Sequence, residues 1–121
     1  MSGLVTLLGL AVAGAVGSVV RHATLARVGQ PGTAPRAWAV AAVNLVGAVI
    51  VAAVALLQPP ETIALVLTLG LAGSLTTFST WVVDAVLAAD AGRSLVRIGL
   101  IDLAGQLVVG TAIVFTVVQL A

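Results

Sequence analysis

The chain contains no cysteine and no lysine, and only four of its 121 residues are acidic. Without cysteine it has neither disulfides nor thiolate metal sites. Charged residues make up 7% of the sequence, hydrophobic residues make up 61%, and the mean hydropathy is +1.28. A soluble domain of this length has too little interior to bury so much apolar surface, so the composition predicts an integral membrane protein in contact with the lipid bilayer.

The sequence also lacks the residue patterns of an enzyme or of a nucleic-acid binder. Its single histidine, His22, has no neighbours at metal-ligand spacing, and there is no nucleophile–base pair and no phosphate-binding loop. The net charge of +1 rests on five arginines and four acids, which is no basis for nucleic-acid binding. We therefore expect no enzymatic activity and no nucleic-acid partner.

Four apolar stretches are each about 20 residues long, the length that crosses the hydrocarbon core of a bilayer. They run from Gly3 to Val20, from Ala37 to Leu57, from Thr62 to Val83 and from Ile98 to Leu120. The first is predicted to be a retained helix and not a signal peptide, because no positive residue precedes it and three spans follow. Since the connecting loops are short, the sequence predicts a single all-α domain over residues 1–121, a bundle of four transmembrane helices.

The arginines are distributed unevenly between the two sides of this bundle. Arg27, Arg36 and Arg93 lie in the first and third loops, and Arg21 and Arg97 border them. The second loop and both ends of the chain carry none. By the positive-inside rule, the arginine-bearing loops are predicted to face the cytoplasm, with both termini outside and a single orientation of insertion.

The third span contains a polar stretch, residues 70–81, in which Gly73 is followed by the β-branched pair Thr76-Thr77. Such residues weaken a helix, and in hydrocarbon every backbone polar group needs a partner. One interpretation is a deliberate helix break whose freed carbonyls face something polar. The alternative is an intact helix in which the hydroxyls bond their own backbone and Gly73 permits close packing.

Small residues recur every fourth position in the first span, at Gly9, Ala13 and Gly17, and the stripe ends at Arg21. Such a stripe lets two helices approach closely. Arg21 is then either an anchor at the membrane interface or a structural partner for an acid or a carbonyl.

Polar residues in the second and third spans are candidates for an ion pathway. Asn44 is the one strongly polar side chain of its span, and its NH₂ group is a neutral donor that meets an anion or forms an interhelical hydrogen bond. Phe78 and Trp81 share a helix face, where their electropositive ring edges, with the hydroxyls of Ser79 and Thr80, would line a narrow anion path. An ordinary core pair of aromatic rings is the alternative.

The fourth span carries Asp102 and Gln106 at i, i+4. A carboxylate at this depth must be paired or protonated. We expect a structural ion pair of Asp102 with Arg21 or Arg97, the alternative being a proton relay.

Three segments together resemble the Fluc/CrcB family of fluoride channels. Residues 14–21, a glycine–arginine motif, resemble its first helix, and Asn44 with Gly47 resembles its second-helix VN-x-x-G motif. Residues 73–80 resemble its more specific third-helix G-x-x-TTFST motif.

The resemblance implies a cell-membrane channel that confers fluoride resistance by passive export of fluoride through an antiparallel dimer with two pathways. It implies a structural Na⁺ ion held by the backbone carbonyls of Gly73 and Thr76. Pathway roles are implied for Asn44, Phe78, Ser79, Thr80 and Trp81, and structural roles for Gly17 and Arg21.

Two positions depart from the family pattern, since Trp81 stands where a second Phe is usual and Val40 where Thr is usual. With the arginine bias, this favours one half of a heterodimer whose partner subunit has the opposite orientation, over a homodimer. Two alternative functions stay open. One is a small four-helix proton-coupled exporter in which Asp102 carries the proton, and the other is a non-conducting subunit of a heterodimeric channel.

Overall fold

The computed structural model describes residues 3–92 and 101–120, and over these ranges the chain is all-α. The helices are α1 (Gly3–Val28), α2 (Ala34–Leu57), α3 (residues 61–75), α4 (Ser79–Asp90) and α5 (Ile101–Leu120). They provide four segments long and apolar enough to cross a membrane, with α3 and α4 forming the third. The predicted four-helix membrane bundle is confirmed. The predicted start of the fourth span, Ile98, lies outside the described residues.

Two spans are longer than the apolar pattern predicts. Helix α1 continues through Arg21 to Val28, and α4 continues through Asp84 to Asp90. Both charged side chains have partners inside the chain, so neither forces its helix to end. Helix α2 starts with a proline in its first turn, where the missing N–H costs nothing.

The third membrane segment is interrupted, as one of the two sequence interpretations predicts. Helix α3 begins as Glu61–Leu65, widens into a π-helix over Val66–Ala72 and ends with the α-helical turn Gly73–Leu75. Thr76 is extended (φ −78°, ψ 153°), and α4 starts at Ser79.

The break lies three residues beyond the glycine that suggested it. Gly73 keeps helical angles (φ −63°, ψ −36°), and the interruption falls at Thr76, inside the predicted stretch of residues 70–81. A glycine costs a helix only about 1 kcal/mol, which packing easily offsets.

Helix α1 packs closely on α3 through the predicted small-residue stripe. A Cβ atom on Gly17 would collide with Ser74 Oγ and lie 2.7 Å from the carbonyl oxygen of Leu71. A Cβ on Gly9 would lie 2.8 Å from a methyl group of Val66. Helix α2 packs against α5 and contacts both halves of the third segment, so it stands beside the break.

Candidate functional site

Asn44, near the middle of α2, holds the break in place. Its Oδ1 accepts a 2.8 Å hydrogen bond from the N–H of Thr77, and its Nδ2 donates to the Thr77 carbonyl oxygen at 3.3 Å. Gly47, one turn further along α2, leaves the space that the methyl group of Thr76 occupies. A side-chain amide thus replaces backbone bonds that the interrupted helix lacks, and of the two roles considered for Asn44 the interhelical hydrogen bond is observed.

The interruption diverts two backbone donors and so changes the bonding of two carbonyls. The N–H of Thr77 goes to Asn44, and the N–H of Thr80 goes to Thr77 Oγ1 at 3.2 Å. In a continuous helix these groups would donate to the carbonyls of Gly73 and Thr76. Gly73 O instead accepts a long 3.4 Å bond from Thr76 Oγ1.

Arg21 supplies the replacement partner for the second carbonyl. Its Nη1 donates to Thr76 O at 3.2 Å, across the close contact between α1 and α3. Of the two roles predicted for Arg21, partner of a carbonyl is therefore the one observed. The predicted ion pair between Arg21 and Asp102 is wrong, because the guanidinium is directed at the break and Asp102 has other partners. Arg97, the other predicted partner of Asp102, lies outside the described residues.

Helix α5 adds a hydrogen-bonded chain to the break. Asn44 Nδ2 donates to Gln106 Oε1 at 2.6 Å, and Gln106 Nε2 donates to Asp102 Oδ2 at 3.0 Å. Trp81 Nε1 donates to the same carboxylate oxygen at 3.1 Å. The carboxylate of Asp102 is therefore held by an indole and an amide.

An open groove of about 320 Å³ runs beside the break. The rings of Phe78 and Trp81 lie in it, with centroids 5.4 Å apart and planes 27° apart. They share a face, as their spacing predicts, but they stack on each other and Phe78 is 65% exposed, so they are not an enclosed core pair. The groove is lined by Asn44, Thr76, Thr77, Phe78, Trp81, Leu103, Gln106 and Leu107.

The other two predicted pathway residues line a different groove. Ser79 and Thr80 face a space of about 290 Å³ that also contacts Arg36 and Asp84. Thr77 stands between the two grooves, because its hydroxyl lies 3.1 Å from Thr80 Oγ1 and 3.5 Å from Ser79 Oγ. The five predicted pathway residues are thus divided between two sides of the break.

A part-buried ion pair that the sequence analysis missed lies next to the second groove. Arg36 Nε is 3.3 Å from Asp84 Oδ2, the side chains being 16% and 8% exposed, and Arg36 also donates to the Leu25 carbonyl oxygen. Arg36 was counted as a loop charge, but it lies in the first turn of α2. The available signal was Asp84 itself, since an acid at the end of an apolar span needs a cationic partner.

Thr77 and Gln106 are further site residues to which sequence reasoning gave no role. Thr77 was treated only as a weak helix former, yet it bonds Asn44 through its backbone and Thr80 through its hydroxyl. Gln106 was noted only for its spacing from Asp102. A polar side chain that must find a partner within an apolar span was the signal in both cases.

Comparison with known proteins agrees with the motifs. A family model described as "CrcB-like protein, Camphor Resistance (CrcB)" matches residues 8–118. The chain is 37% identical over 123 residues to "Fluoride-specific ion channel FluC 2" of Symbiobacterium thermophilum, covering 93% of this chain and 94% of that one. It is 41% identical over 70 residues to a protein of the same name from Synechococcus sp. strain CC9902, covering 58% of this chain and 52% of that one. The chain is therefore a member of the CrcB family of fluoride-specific ion channels, a multi-pass membrane protein and not an enzyme.

Proposed function

We propose that this chain conducts fluoride along the break in its third membrane segment and lowers cytoplasmic fluoride by passive export. The observation that carries the proposal is the groove beside the break, where the Asn44 amide, the backbone and hydroxyls of Thr76 and Thr77, and the Phe78 ring converge. Fluoride is small and holds its water tightly, so a selective route needs close donors that replace hydration.

The donors around the break are neutral, which suits conduction. The hydroxyls of Ser79 and Thr80 and ring edges such as that of Phe78 can donate to an anion without a fixed positive charge, and the Asn44 amide can do so once it releases one of its present partners. Binding must be favourable enough to remove water from the ion and weak enough to release it. Within the described part of the chain, Arg21 and Arg36 lie beside the site and are engaged with a carbonyl and a carboxylate.

A structural Na⁺ ion is part of the proposal, held by the backbone carbonyls of Gly73 and Thr76. Carbonyl oxygens are suitable ligands for a hard cation, and each carbonyl has two lone pairs. The diverted N–H groups of Thr77 and Thr80 leave both carbonyls without their α-helical donors, which supports the assignment. A bound cation would supply positive charge near the route of the anion.

We infer a second subunit in the opposite orientation. Phe78 in the first groove and Ser79 in the second are exposed in the single chain, so each groove lacks a wall that another subunit would provide. The arginine bias favours a paralogous heterodimer partner over a homodimer.

A non-conducting subunit of such a heterodimer is the second candidate function. It is favoured by Trp81, whose ring lies in the groove, stacks on Phe78 and is fixed to Asp102. The proton-coupled exporter has no support from the family. Export that depends on pH and is lost in Asp102→Asn would reverse that judgement.

Fluoride efflux from liposomes tests the proposal, with the chain reconstituted alone and together with a candidate opposite subunit. Asn44→Ala is expected to slow efflux by about tenfold to a hundredfold, because a hydrogen bond to a charged group contributes roughly 1.5–3 kcal/mol. Gln119→Ala removes an exposed amide from α5 and serves as the control. If neither arrangement gives fluoride efflux, the proposal is wrong. If efflux survives Trp81→Ala but the partner alone carries it, this chain is the non-conducting subunit.

A further inference from the structure

The amide of Asn44 has no donor to spare in this structure. A side-chain NH₂ group carries two hydrogens, and both are directed at partners within the chain. One goes to the Thr77 carbonyl oxygen at 3.3 Å, and the other goes to Gln106 Oε1 at 2.6 Å. An anion that binds Asn44 must therefore take the place of one of these two oxygens. Only Gln106 is a side chain, which moves without altering the backbone of the break.

Asp102 determines which end of Gln106 faces Asn44. Asp102 Oδ2 accepts its hydrogen bond from Gln106 Nε2, so the other end of the Gln106 amide, Oε1, faces Asn44. Trp81 Nε1 donates to the same carboxylate oxygen and fixes it from α4. The direction of the hydrogen bonds that link Trp81, Asp102, Gln106 and Asn44 thus follows from the Asp102 carboxylate oxygen, which accepts two of them.

We propose that Gln106 is a latch on the fluoride route: its Oε1 occupies the position on the Asn44 N–H that fluoride takes, and Asp102 holds it there. The inference rests on the proposed function and adds the residue that sets the affinity of the pathway. A hydrogen bond to a charged acceptor is stronger than one to a neutral amide oxygen, so fluoride displaces Gln106. Because the hydrogen bond between Asn44 and Gln106 must break first, fluoride binds more weakly than it would to an Asn44 amide without this partner.

Gln106→Met tests the latch, because methionine has similar length and removes the strong acceptor. Efflux at low fluoride concentration is expected to rise about threefold to tenfold, the range that corresponds to one neutral hydrogen bond. Gln119→Met, the same change at an exposed position of α5, should leave the rate unchanged. Unchanged or slower efflux in Gln106→Met would overturn the latch, slower efflux meaning that Gln106 is itself a fluoride ligand.

Asp102→Asn provides a second variant of nearly the same shape. It removes the acceptor-only group, so Gln106 is no longer forced to direct Oε1 at Asn44. The expected efflux lies between that of the wild type and that of Gln106→Met. An efflux below the wild-type rate in a folded Asp102→Asn protein would contradict the proposal.

Fluorescence of Trp81 gives a readout that does not depend on conduction. The chain has two tryptophans, so Trp38→Phe leaves Trp81 alone. Adding fluoride to this variant should shift the Trp81 emission, because a displaced Gln106 disturbs the Asp102 carboxylate that binds the indole N–H. The same titration in Gln106→Met should give no shift. A shift that persists without Gln106, or none with it, would overturn the latch.

These results separate the latch from the proposed function. Suppose that the wild-type protein with its partner conducts fluoride and the Asn44→Ala variant does not. A Gln106→Met efflux rate at or below the wild-type rate then rejects the latch and leaves the proposed function standing. If no fluoride efflux occurs but Trp81 responds to fluoride through Gln106, the binding step stands and conduction by this chain fails.

Discussion

Asp84 and Asp102 are both carboxylates within membrane-spanning helices, but their partners differ. Asp84 is paired with Arg36 at 3.3 Å, near the loop that joins α1 to α2. Asp102, beside the break, is held by the indole of Trp81 and the amide of Gln106. The first site pairs an acid with an arginine, and at the second the described donors to the acid are uncharged.

The difference indicates two separate uses of a buried acid. The Arg36–Asp84 pair joins the start of α2 to α4, and with the Arg36–Leu25 bond it also reaches α1, so it ties together three helices. Among the described residues Asp102 has no cationic partner, and its carboxylate instead orders a chain of donors that ends at Asn44. We therefore expect substitutions at Asp84 to affect mainly stability and those at Asp102 to affect mainly the fluoride route.

Asp84→Asn is expected to give the largest loss of stability. It leaves the part-buried Arg36 guanidinium without its countercharge, which costs about 1.5–3 kcal/mol, the contribution of a hydrogen bond between charged groups. The free energy of unfolding in detergent micelles, followed by circular dichroism, measures the effect.

The double variant Arg36→Met, Asp84→Leu is the control for this substitution. Replacing both charges with apolar groups removes the uncompensated charge, so most of the stability should return. If Asp84→Asn lowered the free energy of unfolding no more than a substitution at an exposed site, the Arg36–Asp84 pair would have no structural role. The contrast between Asp84 and Asp102 would then disappear.

Gly17→Ala is expected to have an intermediate effect. The added Cβ meets Ser74 Oγ and the Leu71 carbonyl, so α1 must shift away from α3, at a cost of about 1–3 kcal/mol for an overpacked contact. The shift would also weaken the bond from Arg21 to the break. Gly14→Ala, whose Cβ meets nothing within 4 Å, is the matched control, and thermal unfolding of both variants measures the difference. Equal melting temperatures would mean that the stripe does not hold the break.

Asp102→Asn is expected to have the smallest effect on stability, about 1 kcal/mol, because asparagine keeps an oxygen that accepts a neutral hydrogen bond from Trp81 or Gln106. Measuring the free energy of unfolding of Asp102→Asn and Asp84→Asn side by side compares the two sites directly. A loss as large as that of Asp84→Asn would show that Asp102 is also a structural charge.

The sequence predicts most of the fold because membrane physics leaves few choices. Apolar stretches of sufficient length give the four spans, and the rule that backbone groups in hydrocarbon need partners points to the break. The same rule marks Asn44 as a bonded residue. These features depend on local composition alone.

Pairing between helices was harder to predict. Arg36 and Asp84 are 48 residues apart, and Asn44 and Gln106 are 62 apart. Which polar side chains meet depends on how each helix is rotated about its axis, and small residues spread around a helix do not specify that rotation. For this reason Asp102 was assigned to an arginine.

The central claim is that the break, with Asn44 bound to it, is a route for fluoride. The most direct test compares fluoride and chloride efflux from liposomes that contain this chain with its opposite-facing subunit, before and after Asn44→Ala. The account predicts fast fluoride efflux, no chloride efflux above that of protein-free liposomes, and loss of the fluoride signal in Asn44→Ala. Equal efflux of the two halides, or fluoride efflux unchanged in Asn44→Ala, would contradict it.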